Sequence, residues 1–125
     1  RTRPAYLASR GIVRHMADAR VMVNLRKGLV EFCVLGLLVH GPKYGLELAR
    51  RLQADGLAAS DSTLYPLLAR LHSAGLVESE WRESDAGRPR KYYALTGDGI
   101  AALAAFVDTW APLRDAVDVV IEEAS

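Results

Sequence analysis

Apolar residues recur at helical spacing from Leu25 to Val39, where Leu25, Leu29, Phe32, Cys33, Gly36 and Val39 or His40 form a stripe that further apolar residues widen. This predicts a mostly buried helix. Gly41-Pro42 stops it, since proline cannot continue a helix and glycine tolerates the turn. A second helix is predicted from about Tyr44 to Ala54, with Leu46, Leu48, Ala49 and Leu52 toward a core and Glu47, Arg50, Arg51 and Asp55 toward water; Gly56 closes it. Ser60-Asp61-Ser62-Thr63 then groups four residues whose short side chains accept hydrogen bonds from the free N–H groups of a helix start. The third helix opens there, turns Leu64, Leu67, Leu68 and Leu71 inward, and ends at Ala74-Gly75. Pro66 is tolerable in it only within roughly the first turn, where its missing N–H costs little.

The segments Leu76–Trp81 and Arg90–Leu95 read as strands, and Arg82–Pro89 between them as a hairpin loop. Tyr92 and Tyr93 alternate along the second strand, so one belongs to the core and the other is half exposed. Thr96-Gly97-Asp98-Gly99 opens a last helix, in which Leu103, Phe106, Trp110, Leu113, Val117 and Val120 make a heptad-like seam that calls for a partner. Pro112 removes the N–H that would bond to Asp108, so a kink is expected there. Three short helices followed by a hairpin is the order of a winged helix-turn-helix. The expected fold is therefore mainly α with a small β-hairpin: a winged helix-turn-helix over residues 21–96 and a C-terminal dimerisation helix over 97–125.

A chain of 125 residues accommodates one such domain plus appendages. Half of its residues are hydrophobic and a quarter charged, as in soluble globular proteins. The longest apolar run, Phe32–Val39, is far short of the roughly 18 residues that suggest a membrane span. The first residues are basic and mixed, without the apolar stretch of a secretory signal, which points to the cytoplasm. The lone Cys33 permits neither an internal disulfide nor a thiolate metal cluster, and its neighbours make it a core residue. No cofactor and no metal site is expected.

The formal net charge of +1 conceals a division: residues 1–97 hold fifteen of the sixteen Lys and Arg against nine acids, whereas residues 98–125 hold Arg114 against six acids. A basic body with an acidic tail is expected if only the body touches a polyanion. Residues 1–20 lack hydrophobic periodicity and read as a flexible basic arm. Two readings stand for residues 1–15, a native arm or an expression-derived leader ending at a His15-Met16 junction. The hairpin tip, Gly87-Arg88-Pro89-Arg90-Lys91, places three cations in five residues beside a glycine that lets backbone approach phosphate, although Glu83 and Asp85 lie close by.

Five segments in order resemble the PadR family of transcriptional regulators, in its compact form with one C-terminal helix. They are Leu25-Arg26-Lys27-Gly28 with the apolar helix after it, Gly41-Pro42-Lys43-Tyr44-Gly45, Ser62 to Leu71, Gly75-Leu76-Val77, and Gly87 to Thr96, so that the likeness covers about residues 24–121. The resemblance implies a homodimer built through the C-terminal helix, repression by binding double-stranded operator DNA, and release by a small ligand in many members. Ser62, Thr63 and Tyr65 sit early on the expected recognition helix, where hydroxyls reach base edges or phosphates and helix N–H groups favour phosphate; Ser60 or Ser62 merely capping the helix is the plainer reading. Tyr44 resembles the family's tyrosine near the DNA backbone and equally suits packing on the hairpin. Arg88, Arg90 and Lys91 are expected to contact phosphates, with Arg70 a weaker candidate.

In the seam, Leu103, Phe106, Leu113 and Val117 are dimer candidates. Trp110 and its symmetry mate could sandwich a planar aromatic or cationic effector, with Asp108 favouring a cation. A buried dimer-core tryptophan and a merely wet Asp108 are the competing readings, and Pro112 makes this half of the resemblance less secure than the DNA-binding half.

Two other classes compete. An enzyme would have to draw on Cys33, His15, His40 and His72, which form no recognised motif, and Cys33 sits mid-helix as a small hydrophobe. A winged helix that binds protein instead of DNA is the other alternative, and the cationic hairpin argues against it.

Overall fold

A computed structural model describes Val21, Leu25, Arg26 and residues 28–58, 61–85 and 87–124. The expected arm, residues 1–20, lies outside the described residues. Among those described, four helices and three strands follow in the order α1 (Leu29–Leu37), β1 (Lys43–Tyr44), α2 (Gly45–Ala54), α3 (Asp61–Ser73), β2 (Val77–Arg82), β3 (Arg90–Leu95) and α4 (Gly97–Glu123). The chain divides into two compact units, one of residues 28–104 and one that includes residues 105–125.

The 28–104 unit has a single apolar centre. Val34, Leu35 and Leu38 at α1, Leu48 and Leu52 of α2, Leu64, Leu68 and Leu71 of α3, Val77 of β2 and Tyr93 of β3 are all buried. Each full burial of such an aliphatic side chain contributes roughly 1.5–3 kcal/mol, which is why three helices too short to persist alone hold together. Helices α2 and α3 end in the same way. Gly56 and Gly75 take positive φ values of 73° and 76°; their N–H groups donate to the carbonyls of Gln53 and His72, and the N–H groups of Leu57 and Leu76 reach back to Leu52 and Leu71 at 2.8 and 3.0 Å. This Schellman pattern satisfies the last carbonyls of each helix and sends the chain back toward the core.

The sheet differs from expectation by one strand. Beyond the β2–β3 hairpin, Lys43 and Tyr44 pair antiparallel with Tyr93 and Tyr92, so the strand order is β1-β3-β2. The hairpin register runs from Val77 opposite Leu95 to Arg82 opposite Arg90. Of the two adjacent tyrosines, Tyr93 is buried and Tyr92 half-buried, as the alternation predicts.

Two further expectations change. The first helix was expected from Leu25, but Gly28, with φ 79°, precedes a helix that starts at Leu29, and Leu25 is exposed. Pro66 lies past the first turn of α3; its missing N–H is the one that would reach the Ser62 carbonyl, and the proline is accommodated because both residues face outward. Helical structure also continues through Pro112 to Glu123. One turn earlier the Thr109 hydroxyl donates to the Ala105 carbonyl at 2.8 Å, a back-bond that commonly bends helices.

Candidate nucleic-acid interface

The exposed face of α3 follows from its periodicity: with Leu64, Leu67, Leu68 and Leu71 turned inward, Ser62, Thr63, Tyr65, Pro66, Ala69 and Arg70 face outward. Tyr65 leans toward the start of α2. Gly45 there is buried, and a Cβ on it would lie 3.0 Å from Tyr65 Cε1, so glycine is what lets the ring settle against that backbone. The N–H of Tyr44, just before α2, donates to Glu47 Oε1 at 3.1 Å, which satisfies a donor that the helix itself cannot use.

The hairpin loop is a built turn. Ser84 Oγ donates to the Arg88 carbonyl at 2.5 Å, the Gly87 N–H donates to the Ser84 carbonyl at 3.1 Å, and Gly87 has φ 87°. The positive φ is what demands glycine there. From this turn the cations return toward the helices. The Arg90 guanidinium lies 4.4 Å from the centroid of the Tyr44 ring, and Lys91 Nζ lies 5.8 Å from the Trp81 ring and 5.9 Å from the Tyr93 ring.

An open groove of about 700 Å³ joins these parts, lined by Tyr44, Gly45 and Leu46 of the β1–α2 corner, Tyr65 of α3, and Trp81, Arg88, Arg90, Lys91 and Tyr93 of the hairpin. Among the described residues, no acidic side chain lines it. Two acids of the hairpin fall elsewhere: Glu78 and Glu80 border a separate hollow with Arg82 and Tyr92, and Glu80 holds Arg82 in an ion pair of 2.6 Å. Burial, and secondarily the neighbouring Tyr65 phenol, pushes the Tyr93 hydroxyl up, so the Tyr93 phenol adds no negative charge to the groove near neutral pH.

Of the eight residues expected at nucleic acid, five line this groove: Tyr44, Tyr65, Arg88, Arg90 and Lys91. Ser62 and Thr63 stand exposed in the first turn of α3 without lining it. Arg70 has another partner, since its Nε lies 3.2 Å from Glu31 Oε1 of α1; an exposed pair of this kind is worth under about 1 kcal/mol, yet it turns the guanidinium toward α1. Sequence reasoning missed Gly45 and Trp81. Trp81 is the most exposed large hydrophobic side chain among the described residues, at 68%.

The residues expected at a dimer seam divide. Leu103 packs against the core of its own unit, and so is not a free seam position. Farther along α4, Phe106 and Trp110 are stacked with centroids 5.7 Å apart and planes 17° from parallel. Leu113 and Val117 are about half exposed, Val120 is 63% exposed, and Asp108 faces outward. Cys33 packs against the apolar centre of the other unit, and burial pushes its thiol up, away from the activated thiolate a nucleophile needs. Among the described residues, no group of three or more His, Cys, Asp and Glu could hold a metal ion, and no helix is long and apolar enough to cross a membrane.

Comparison with known proteins agrees with this arrangement. Residues 34–105 match the transcriptional regulator PadR-like family. The chain is 34% identical to a PadR family transcriptional regulator from Eggerthella lenta whose crystal structure superposes with a TM-score of 0.78, covering 90% of this chain and 98% of that one. A PadR-like regulator from Bacillus cereus is 31% identical, with a TM-score of 0.71 over 78% of this chain and 96% of its own. A transcriptional regulator of Mycobacterium tuberculosis is 37% identical over 82 residues, 66% of this chain and 76% of the relative. These relatives are regulators and not enzymes, and their fold is the winged helix described above. The chain belongs to the PadR-like family of transcriptional regulators.

Proposed function

We propose that the chain is a cytoplasmic, sequence-specific DNA-binding repressor that acts as a homodimer and is released from its operator by a small-molecule effector. The observation that carries the DNA-binding part is the groove that the β1–α2 corner, α3 and the hairpin share, lined by Arg88, Arg90 and Lys91 and, among the described residues, by no acid. In this reading α3 enters the major groove with Ser62, Thr63 and Tyr65 at bases or phosphates, while Tyr44 and the three cations grip the backbone. Arg70, committed to Glu31, contributes less.

The exposed apolar positions Leu113, Val117 and Val120 support dimerisation through α4, because a stripe of this kind favours a second helix. The stacked Phe106 and Trp110 support a planar aromatic or cationic effector between the two copies, with Asp108 as counter-charge.

Fluorescence anisotropy with a duplex from the gene's own upstream region, at several salt concentrations and against a scrambled duplex, tests the proposal. Binding should prefer the native duplex. Neutralising Arg88, Arg90 or Lys91 singly should weaken binding about equally on both duplexes and flatten the salt slope by about one unit per lost phosphate contact. An unchanged slope would overturn the hairpin contacts, and no preference between duplexes would overturn the operator reading.

A further inference from the structure

We infer that Trp81 is a direct DNA-contacting residue, its indole packing on the sugar-phosphate backbone between the recognition helix and the hairpin; this rests on the operator-binding reading above. Trp81 stands near the end of β2, directly opposite Lys91 in the hairpin register, and lines the same groove as Tyr65 of α3 and Arg88 of the loop. Its position therefore bridges the two elements that would hold DNA.

Three observations point the same way. A tryptophan 68% exposed leaves a large apolar surface in water, and no other large hydrophobic side chain among the described residues is as exposed; it shares its groove with Tyr44, Leu46, Tyr65 and Tyr93, and a contiguous patch of this kind, unlike a lone exposed side chain, marks an interaction site. The indole has a flat apolar body and one N–H donor, which suits a deoxyribose flanked by phosphate oxygens better than it suits water. Lys91 Nζ, 5.8 Å from the ring, places a positive charge where the adjoining phosphate would lie. Because the contact is to backbone, it adds affinity on any sequence, by burial and not by charge.

The chain has two tryptophans, so the test is a difference. A mixed-sequence duplex at low salt is titrated into the wild type and into Trp81→Phe, with tryptophan emission and duplex anisotropy read on the same samples. Wild-type emission should change on saturation and the change should be lost in Trp81→Phe. Trp81→Ala should weaken binding about tenfold with the salt slope unaltered. Emission that stays constant while anisotropy rises would overturn the inference and leave DNA binding standing. A flattened slope in Trp81→Ala would overturn direct contact, since it would show that the indole acts by holding Lys91. No anisotropy rise in any sample would overturn the operator-binding reading and this inference with it.

Discussion

Tyr44 and Tyr92 face each other across the β1–β3 pair with ring centroids 5.7 Å apart, and each ring carries an arginine, Arg90 over Tyr44 at 4.4 Å and Arg82 over Tyr92 at 4.6 Å. The four side chains form a ladder from the hairpin to the first residue before α2. Its rungs are individually weak, about 0.5–1.5 kcal/mol for the aromatic pair and about 0.5–1 for each exposed cation on a ring. Together they join the hairpin to the helical body.

Tyr92→Ala removes the centre of that ladder and no charge. It should lower stability by about 1–3 kcal/mol in chemical denaturation and weaken duplex binding severalfold while the salt dependence stays that of the wild type. Tyr92→Phe keeps the rings and should stay within about 0.5 kcal/mol. Equal losses in the two variants would show that the hydroxyl and not the stack matters.

Two neighbouring glycines at the start of α4 should behave oppositely. A Cβ at Gly99 would run into the Leu76 backbone carbonyl and lie 3.1 Å from Leu95 Cδ2, whereas a Cβ at Gly97 meets nothing. Backbone cannot swing aside as a side chain does, so Gly99→Ala should cost about 2–4 kcal/mol. Gly97→Ala should be neutral or slightly stabilising through helix propensity. Thermal melts of the two variants decide; a harmless Gly99→Ala would refute the close approach.

Leu113→Glu places a charge in the exposed apolar stripe of α4. If α4 carries the proposed dimer, sedimentation should show a dimeric wild type and a monomeric variant, with duplex affinity falling at least tenfold because one recognition helix then binds alone. A dimer that survives this change would place the interface elsewhere.

Alkaline stability follows from Cys33 and Tyr93, both pushed up chiefly by burial. Each keeps its proton in the folded chain at a pH where the unfolded chain has lost it, so the folded state binds more protons in that window and stability falls as pH rises through it. Below the ordinary thiol and phenol ranges there is no such loss. Tyr93→Phe should therefore show a shallower decline than the wild type above about pH 10, measured by urea denaturation at stepped pH. An identical decline would mean that the hydroxyl titrates no differently in the folded chain.

Much of this architecture is legible in residue order because its signals are local. Gly56 and Gly75 mark helix ends because backbone in the left-handed region is required there, and each is followed by a leucine that points back to the core. The hairpin follows from alternation. Strand β1 is not legible: two residues carry no periodicity, and Lys43 and Tyr44 become a strand only by pairing with Tyr93 and Tyr92. The partnership of Arg70 with Glu31 spans 39 residues and leaves no local trace.

Trp81 misleads for a different reason. It shares strand parity with buried Val77, so alternation assigns it to the core face, but β2 outruns the core and the same face emerges into the groove. The groove could be half-read from sequence, since Arg88, Arg90 and Lys91 declare themselves by charge, while Gly45 and Trp81 acquire meaning only from what lies across from them.

Thr96 sits where α3, the hairpin and α4 meet. Its hydroxyl donates to the Gly75 carbonyl at 2.6 Å and accepts from the Gly99 N–H at 3.0 Å, while its own N–H donates to the Leu76 carbonyl at 3.2 Å. All three bonds end on backbone groups, two carbonyls that every amino acid supplies and one N–H that all but proline supply. The junction thus asks only for Thr96 and the small Gly99, and mutation can redraw the outward face of α3 one residue at a time without touching it. Within a lineage of such proteins, new recognition surfaces can arise on an inherited joint.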